Sequence, residues 1–266
     1  LARQIKRKSP NTIVIGSDTA AVLDQAMSAG VIDEAEFDCV EAIKKASLII
    51  LAAGPRQNIA ILRKIAPATK RRQVIVDVTS TKLKICQVAT ELSLKADFVG
   101  GHPFFGSQNS GFENSGDIQI DGKSFVITPT SKSTEMTTRR ITHWLEQLGM
   151  RVQQCDPQLH DDTVASTSHL IQLLSVALGS MLANGVADRE LQERLHMSGP
   201  GLLSVARLMA SPYQMWSEIL EQNNEPICTA LLSLEGRLRV MRNAIDGGQM
   251  DVIEAQFKAA KRTSEN

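Results

Sequence analysis

Residues 47–78 read SLIILAAGPRQNIAILRKIAPATKRRQVIVDV, and the two ends of this stretch decide the fold. Residues 47–53 and 73–78 are apolar almost throughout rather than alternating, the pattern of strands covered on both faces of a parallel sheet. Between them, residues 59–68 carry a helical period. Working outward, residues 12–16 (TIVIG), 97–101 (DFVGG), 124–128 (SFVIT) and 151–154 repeat the strand signature. Residues 19–30, 83–95 and 134–148 supply the intervening helices. Strand and helix taking turns predicts a doubly wound α/β domain over residues 1–155.

The pattern changes at Cys155-Asp156-Pro157, where Asp is a good N-cap and Pro a good first helical residue. No strand signature follows, so residues 156–266 are expected to form an all-helical domain. Residues 168–181 are apolar nearly all round, as in a helix buried inside a bundle. Ile227, Leu231, Leu234, Leu238, Met241 and Ile245 alternate spacings of four and three. Such a seam fits another helix, of this chain or of a partner.

The 266 residues carry 29 Lys+Arg against 29 Asp+Glu. This balance speaks against a nucleic-acid or membrane-surface protein, and no apolar run reaches the ~18–20 residues of a bilayer span. Cys39, Cys86, Cys155 and Cys228 are scattered without a CxxC pair, which fits reduced thiols in the cytoplasm and no disulfide framework. No HExxH or related spacing points to a metal. Residues 1–8 are charged, unlike a signal peptide, and read as the middle of an amphipathic helix without a cap. A preceding strand and loop of roughly ten to fifteen residues is therefore expected.

Two groups of residues are candidates for chemistry. Asp18, just past the 12–16 run, has the place of the acid that binds the adenosine ribose in dinucleotide folds, and its charge favours NAD over NADP. It is equally an ordinary turn Asp, and no G-x-G-x-x-G precedes it. The stretch GGHPFFGSQNSG (100–111) puts His102 just beyond a strand, held by glycines and a proline, where α/β sheets bind ligands. Ser80, in DVTSTK (77–82), could bond His102 or the nicotinamide amide, or cap the following helix. In the helical half His169 interrupts an apolar helix and needs a partner or a ligand. Nine residues at ~100° each place His160 on the opposite helix face from His169. Arg207, after the glycine-rich 197–201, suits capture of a carboxylate, with a solvated surface Arg as the plain alternative. Trp216 by itself reads as core.

Together these residues resemble the prephenate/arogenate dehydrogenase family of tyrosine biosynthesis. The carriers are GGHPFFGSQNSG, DVTSTK, LHD…SHL over 159–170, and the glycine-rich segment leading to Arg207 and then Met215-Trp216. The resemblance implies a Rossmann-type NAD domain whose first strand is missing here, followed by a helical domain that forms a homodimer. It implies oxidative decarboxylation of prephenate with NAD. Arogenate dehydrogenase, or a non-catalytic dimerising relative, are the alternatives. By the same resemblance His102 is the catalytic base and Ser80 orients it and the nicotinamide. Arg207, His169, Ser107, Gln108, Gly201 and Trp216 contact substrate, and Asp18, Ser80 and Pro55 contact NAD. Ile171 stands where the family often has Pro. Gln108 replaces an acid seen in some relatives, and a neutral amide favours the keto side chain of prephenate over the amine of arogenate.

Overall fold

The computed structural model describes residues 1–106, 111–116 and 118–265. The first half runs α1 (Ala2–Lys8), β1 (Ile15–Gly16), α2 (Ala20–Ser28), β2 (Glu34–Ala35), α3 (Cys39–Lys45), β3 (Leu48–Leu51), α4 (Pro55–Ile65), β4 (Val74–Asp77), α5 (Leu83–Glu91), β5 (Asp97–Pro103), β6 (Ser124–Pro129), α6 (Glu135–Gln147) and β7 (Arg151–Gln154). Helices alone follow: α7 (Pro157–Val164), α8 (Leu170–Ala183), α9 (Asp188–His196), α10 (Pro200–Met209), α11 (Tyr213–Gln222), α12 (Asn224–Asp246) and α13 (Met250–Ser264). A π-helical turn, Ala165–His169, joins α7 to α8.

The main sheet has the order β3-β4-β5-β6-β7, and β1 and β2 form a separate parallel pair. Within β4, Val74 and Val76 pack with α6 residues Ile141 and Leu145 on one face. Ile75 points the other way, to Leu62 of α4 and Ile85 of α5. Both faces are buried, which is why these strands read as unbroken apolar runs. The sheet is predominantly parallel, but β6 runs antiparallel to β5, with His102 opposite Val126. β2 and α3 carry no long apolar pattern, being two and seven residues long. Asp38 starts α3 by accepting a hydrogen bond from Val40 N at 3.0 Å.

The helical half begins where the Asp-Pro signal places it. Asp156 caps α7 by accepting from the amides of Gln158 and Leu159, and Pro157 is the first helical residue. Residues 157–183 form one continuous helical stretch that is long and apolar enough, by length and composition, to cross a membrane. This differs from the expectation of no such run. Five polar side chains of this stretch, His160, Asp161, His169, Gln172 and Ser175, are buried along with Val164 and Ala165. The expectation for α8 is likewise reversed, because Ile171, Leu174, Val176 and Met181 are exposed in the single chain. Gln172 faces α10 instead, donating to Leu208 O at 2.7 Å. Of the α12 seam only Ile227 is buried, while Leu231, Leu238 and Ile245 are exposed.

Gly101 is fixed by close approach. A Cβ there would lie 2.7 Å from Asp77 O and 2.8 Å from the Phe125 ring. Neither neighbour is a flexible side-chain end, so Gly101→Ala is expected to lower stability by about 1–3 kcal/mol or more. Urea denaturation measures this, and an unchanged midpoint would contradict the packing described.

Candidate active site

The loop that leaves β4 is anchored by a buried polar network. Asp77 is fully buried and pairs with the equally buried Lys82 ammonium. Its carboxylate also accepts from Asn58 Nδ2 at 2.9 Å and Thr79 Oγ1 at 3.0 Å. Asn58 spans the neighbouring strand end, donating to Leu51 O (2.8 Å) and accepting from Ala53 N (2.9 Å). Each buried charge is thus paired and hydrogen-bonded, the condition under which burial is tolerable. Val78, Thr79, Ser80 and Thr81 are held between these partners.

Across the loop stands Asp161 of α7, buried. Its Oδ1 accepts from Lys82 N at 2.8 Å and its Oδ2 from Leu83 N at 2.9 Å. The carboxylate therefore satisfies the first free amides of α5 and meets the positive end of its dipole. His160 Nδ1 lies 2.7 Å from the same Oδ1. On its other side His160 Nε2 lies 2.9 Å from His102 Nδ1. His102, near the end of β5, also has the Phe104 ring at 4.4 Å between centroids. Burial, followed by the Lys82 ammonium and the competing His160 and His169 imidazoles, holds His102 well below the usual histidine range.

His169, in the π-turn, is buried as well. Asn223, the residue before α12, has its Nδ2 3.1 Å from His169 Nδ1 and donates to Asp161 O at 2.9 Å. Burial pushes His169 down to about 4, against the opposing pull of Asp161. The Trp216 ring stands edge-on to it at 5.8 Å, and Trp216 Nε1 is buried without a hydrogen-bond partner among the described residues. Both imidazoles are neutral near pH 7.

The structure brings His102 and His169 into one cluster and adds His160, which uniform helical periodicity assigns to the far face. The physical reason is the π-turn between them: its wider i→i+5 turns lag behind the ~100° per residue of an α-helix and rotate His169 back toward His160. Asp161, Asn223 and Lys82 are the other residues that sequence reasoning passed over. Their one signal is a carboxylate and imidazole side by side one turn after an Asp-Pro cap. Ser80 lies partly buried in the anchored loop and does not cap α5, because Asp161 takes those amides.

Arg207 is exposed in the last turn of α10, with no hydrogen bond or ion pair among the described residues. Leu208, its neighbour, is the carbonyl tied to Gln172, one turn past His169. Gly201 is exposed in the first turn of α10, with open space where a Cβ would be. Pro55 is the first residue of α4, and the next amide, Arg56 N, donates to Glu218 of α11 at 2.9 Å. Asp18 is exposed in the turn after β1, its Oδ1 accepting from Thr19 N at 2.6 Å. Ser107 and Gln108 lie outside the described residues. A cavity of about 990 Å³ separates β1 from β3 and is lined by Gly16, Asp18, Leu48, Ile50, Ala52 and Phe105. It is separate from the histidine cluster. Among the described residues no group of three or more acidic, His or Cys side chains is arranged to hold a metal.

Comparison with known proteins agrees over nearly the whole chain. Residues 1–154 match the profile of the prephenate dehydrogenase nucleotide-binding domain, and residues 156–259 that of the prephenate dehydrogenase dimerization domain. Prephenate dehydrogenase of Bacillus subtilis is 25% identical over 98% of this chain and 71% of its own. Cyclohexadienyl dehydrogenase of Zymomonas mobilis is 23% identical over 98% of this chain and 89% of its own. In fold, the crystal structure of prephenate dehydrogenase from Aquifex aeolicus superposes with a TM-score of 0.89 at 24% identity, covering 100% of this chain and 94% of that one. Synechocystis arogenate dehydrogenase gives 0.83 at 22% identity, covering 99% and 94%. With both of its halves matched in order, the chain belongs to the prephenate dehydrogenase family of oxidoreductases.

Proposed function

We propose that the chain catalyses NAD-dependent oxidative decarboxylation of prephenate to 4-hydroxyphenylpyruvate, within tyrosine biosynthesis. The observation that carries this reading is His102: a neutral imidazole at the end of a sheet strand, held by one ring nitrogen to the helical domain, with His169 close enough to act on its charge and Trp216 edge-on to His169. An imidazole kept neutral can accept the proton of the substrate's C4 hydroxyl. Arg207, exposed and without an ion pair among the described residues, can take a carboxylate in a forked hydrogen bond. His169 and Trp216 Nε1, which has no partner among the described residues, offer donors toward a bound ring, and Gly201 leaves room at the start of α10. Ser107 and Gln108, outside the described residues, are assigned to the substrate by the family resemblance alone. The neutral amide of Gln108 favours prephenate over arogenate, whose side-chain amine would lack a counter-charge.

The residues present fit a dinucleotide. Asp18, Pro55 and Ser80 follow β1, β3 and β4, the strand ends at which doubly wound sheets bind such ligands. The exposed Asp18 carboxylate borders the large cavity and can accept from a ribose diol. NAD, when bound, supplies the acceptor for the hydride that leaves C4. The chain's own task is to orient the ring, exclude water and receive one proton. The exposed apolar rows of α8 and α12 support a homodimer formed through the helical domain, as does the dimerization-domain profile. Four free cysteines are in keeping with a cytoplasmic enzyme.

Parallel assays with prephenate and arogenate, each with NAD and NADP, are expected to favour prephenate and NAD. A clear preference for arogenate would reverse the substrate assignment. His102→Asn is expected to lower kcat by roughly 10²–10⁴-fold with little change in substrate affinity, whereas Arg207→Ala is expected mainly to raise KM. Near-normal turnover by the His102 variant would remove the proposed base. The depressed histidines also act on stability. His169 binds its proton near pH 4 when folded and near 6.5 when unfolded, so the unfolded state takes up more protons between these values. Stability is therefore expected to fall as pH drops from about 6.5 to about 4, and His169→Gln to flatten that slope in urea titrations at stepped pH.

A further inference from the structure

The geometry points to Asp161 and His160 as positioning residues that set which nitrogen of His102 carries the proton, leaving Nε2 as the basic atom. This rests on the reading of His102 as the base and adds residues to which nothing above gives a role in the reaction.

The assignment follows from hydrogen-bond bookkeeping along one chain of atoms. Asp161 accepts from two backbone amides, Lys82 N and Leu83 N, which have no other function to offer than donation. A carboxylate so surrounded is an acceptor toward His160 as well, so His160 Nδ1, 2.7 Å away, carries a hydrogen. A neutral imidazole has a single N–H, which leaves His160 Nε2 as a lone pair. That lone pair faces His102 Nδ1 at 2.9 Å, so His102 Nδ1 is the donor. His102 Nε2 is then the unprotonated nitrogen, and it has no hydrogen-bond partner among the described residues. The reverse arrangement needs a second proton on His160, a further buried positive charge next to His102.

Two consequences distinguish this from ordinary packing. When His102 Nε2 gains a proton, the Nδ1–H···Nε2 bond to His160 stays as it was, so no group reorients and no proton moves along the chain. The chain also crosses between the domains, since His102 lies on β5 and both positioning residues on α7. The base is set only while α7 is docked on α5. Asn223 does the same for the second histidine: its amide donates toward His169 Nδ1, which leaves Nε2–H as the donor of that ring.

The test is long-range ¹H–¹⁵N NMR of the full chain labelled with ¹⁵N-histidine, without substrate, in wild type, His160→Phe and His160→Gln. His102 is expected as the Nδ1–H form in wild type. It is expected to move to the Nε2–H form in His160→Phe, which has no acceptor, and to return in His160→Gln, whose Oε1 can accept. In turnover, His160→Phe is expected to lose ~100-fold or more in kcat at little-changed KM, with partial recovery in His160→Gln. An Nε2–H signal for His102 in the wild type, or one tautomer shared by all three proteins, overturns the proposal. Should His160→Phe not fold, the wild-type and His160→Gln spectra decide alone, both expected as Nδ1–H. The spectra need no turnover, so a failure of the assigned reaction would be seen separately.

Discussion

The carboxylate of Asp161 is the constraint on which the site depends. It belongs to the first helix of the helical domain, yet it closes the first turn of α5 in the sheet domain through Lys82 N and Leu83 N. A helix N-terminus carries free amides and the positive end of a dipole, so an ionised carboxylate is held there by direction as well as charge. From the other side the Asp77–Lys82 pair and Asn58 fasten the same loop to the ends of β3 and β4. The loop carrying Ser80 is therefore gripped from both domains. His160, next to Asp161 in sequence, is carried by the same contact onto His102. A single side chain thus caps one element, docks two domains and places a histidine against the proposed base.

Much of this fold is legible in the sequence because its sheet is buried on both sides. Val74, Ile75 and Val76 face opposite layers in turn, and each needs an apolar side chain, so the strand shows as a run. The Asp156-Pro157 start of α7 is equally visible, since local capping chemistry decides it. What stays hidden lacks a local signal. β2 is two residues long and β6 reverses direction, neither of which leaves a mark in hydrophobic period. The helix 168–181 shows its apolar content but not its cover: α8 buries Gln172 and Ser175 and turns Ile171, Leu174, Val176 and Met181 outward.

The site is legible only in part for a related reason. His102 and His169 stand out as polar rings in glycine-rich or apolar surroundings. His160 does not, because a uniform period puts it on the wrong face and a single π-turn undoes that reasoning. Ser80 has the place of a helix cap in sequence, but the cap comes from a residue 78 positions away from Leu83. Long-range partners of this kind leave no spacing to read. Arg207 is legible as a cation near glycines, while its exposure is a fact of the single chain alone.

The proposed chemistry rests on one imidazole, that of His102, whose Nε2 would face a ring alcohol from between two docked domains. A crystal structure of the enzyme with NAD and 4-hydroxyphenylpyruvate examines that most directly. His102 Nε2 is expected within about 3 Å of the phenolic oxygen, with Arg207 on a ligand carboxylate and His160 still on Nδ1. A ligand bound with that oxygen remote from His102, or a His102 ring turned so that Nδ1 faces the ligand, would contradict it.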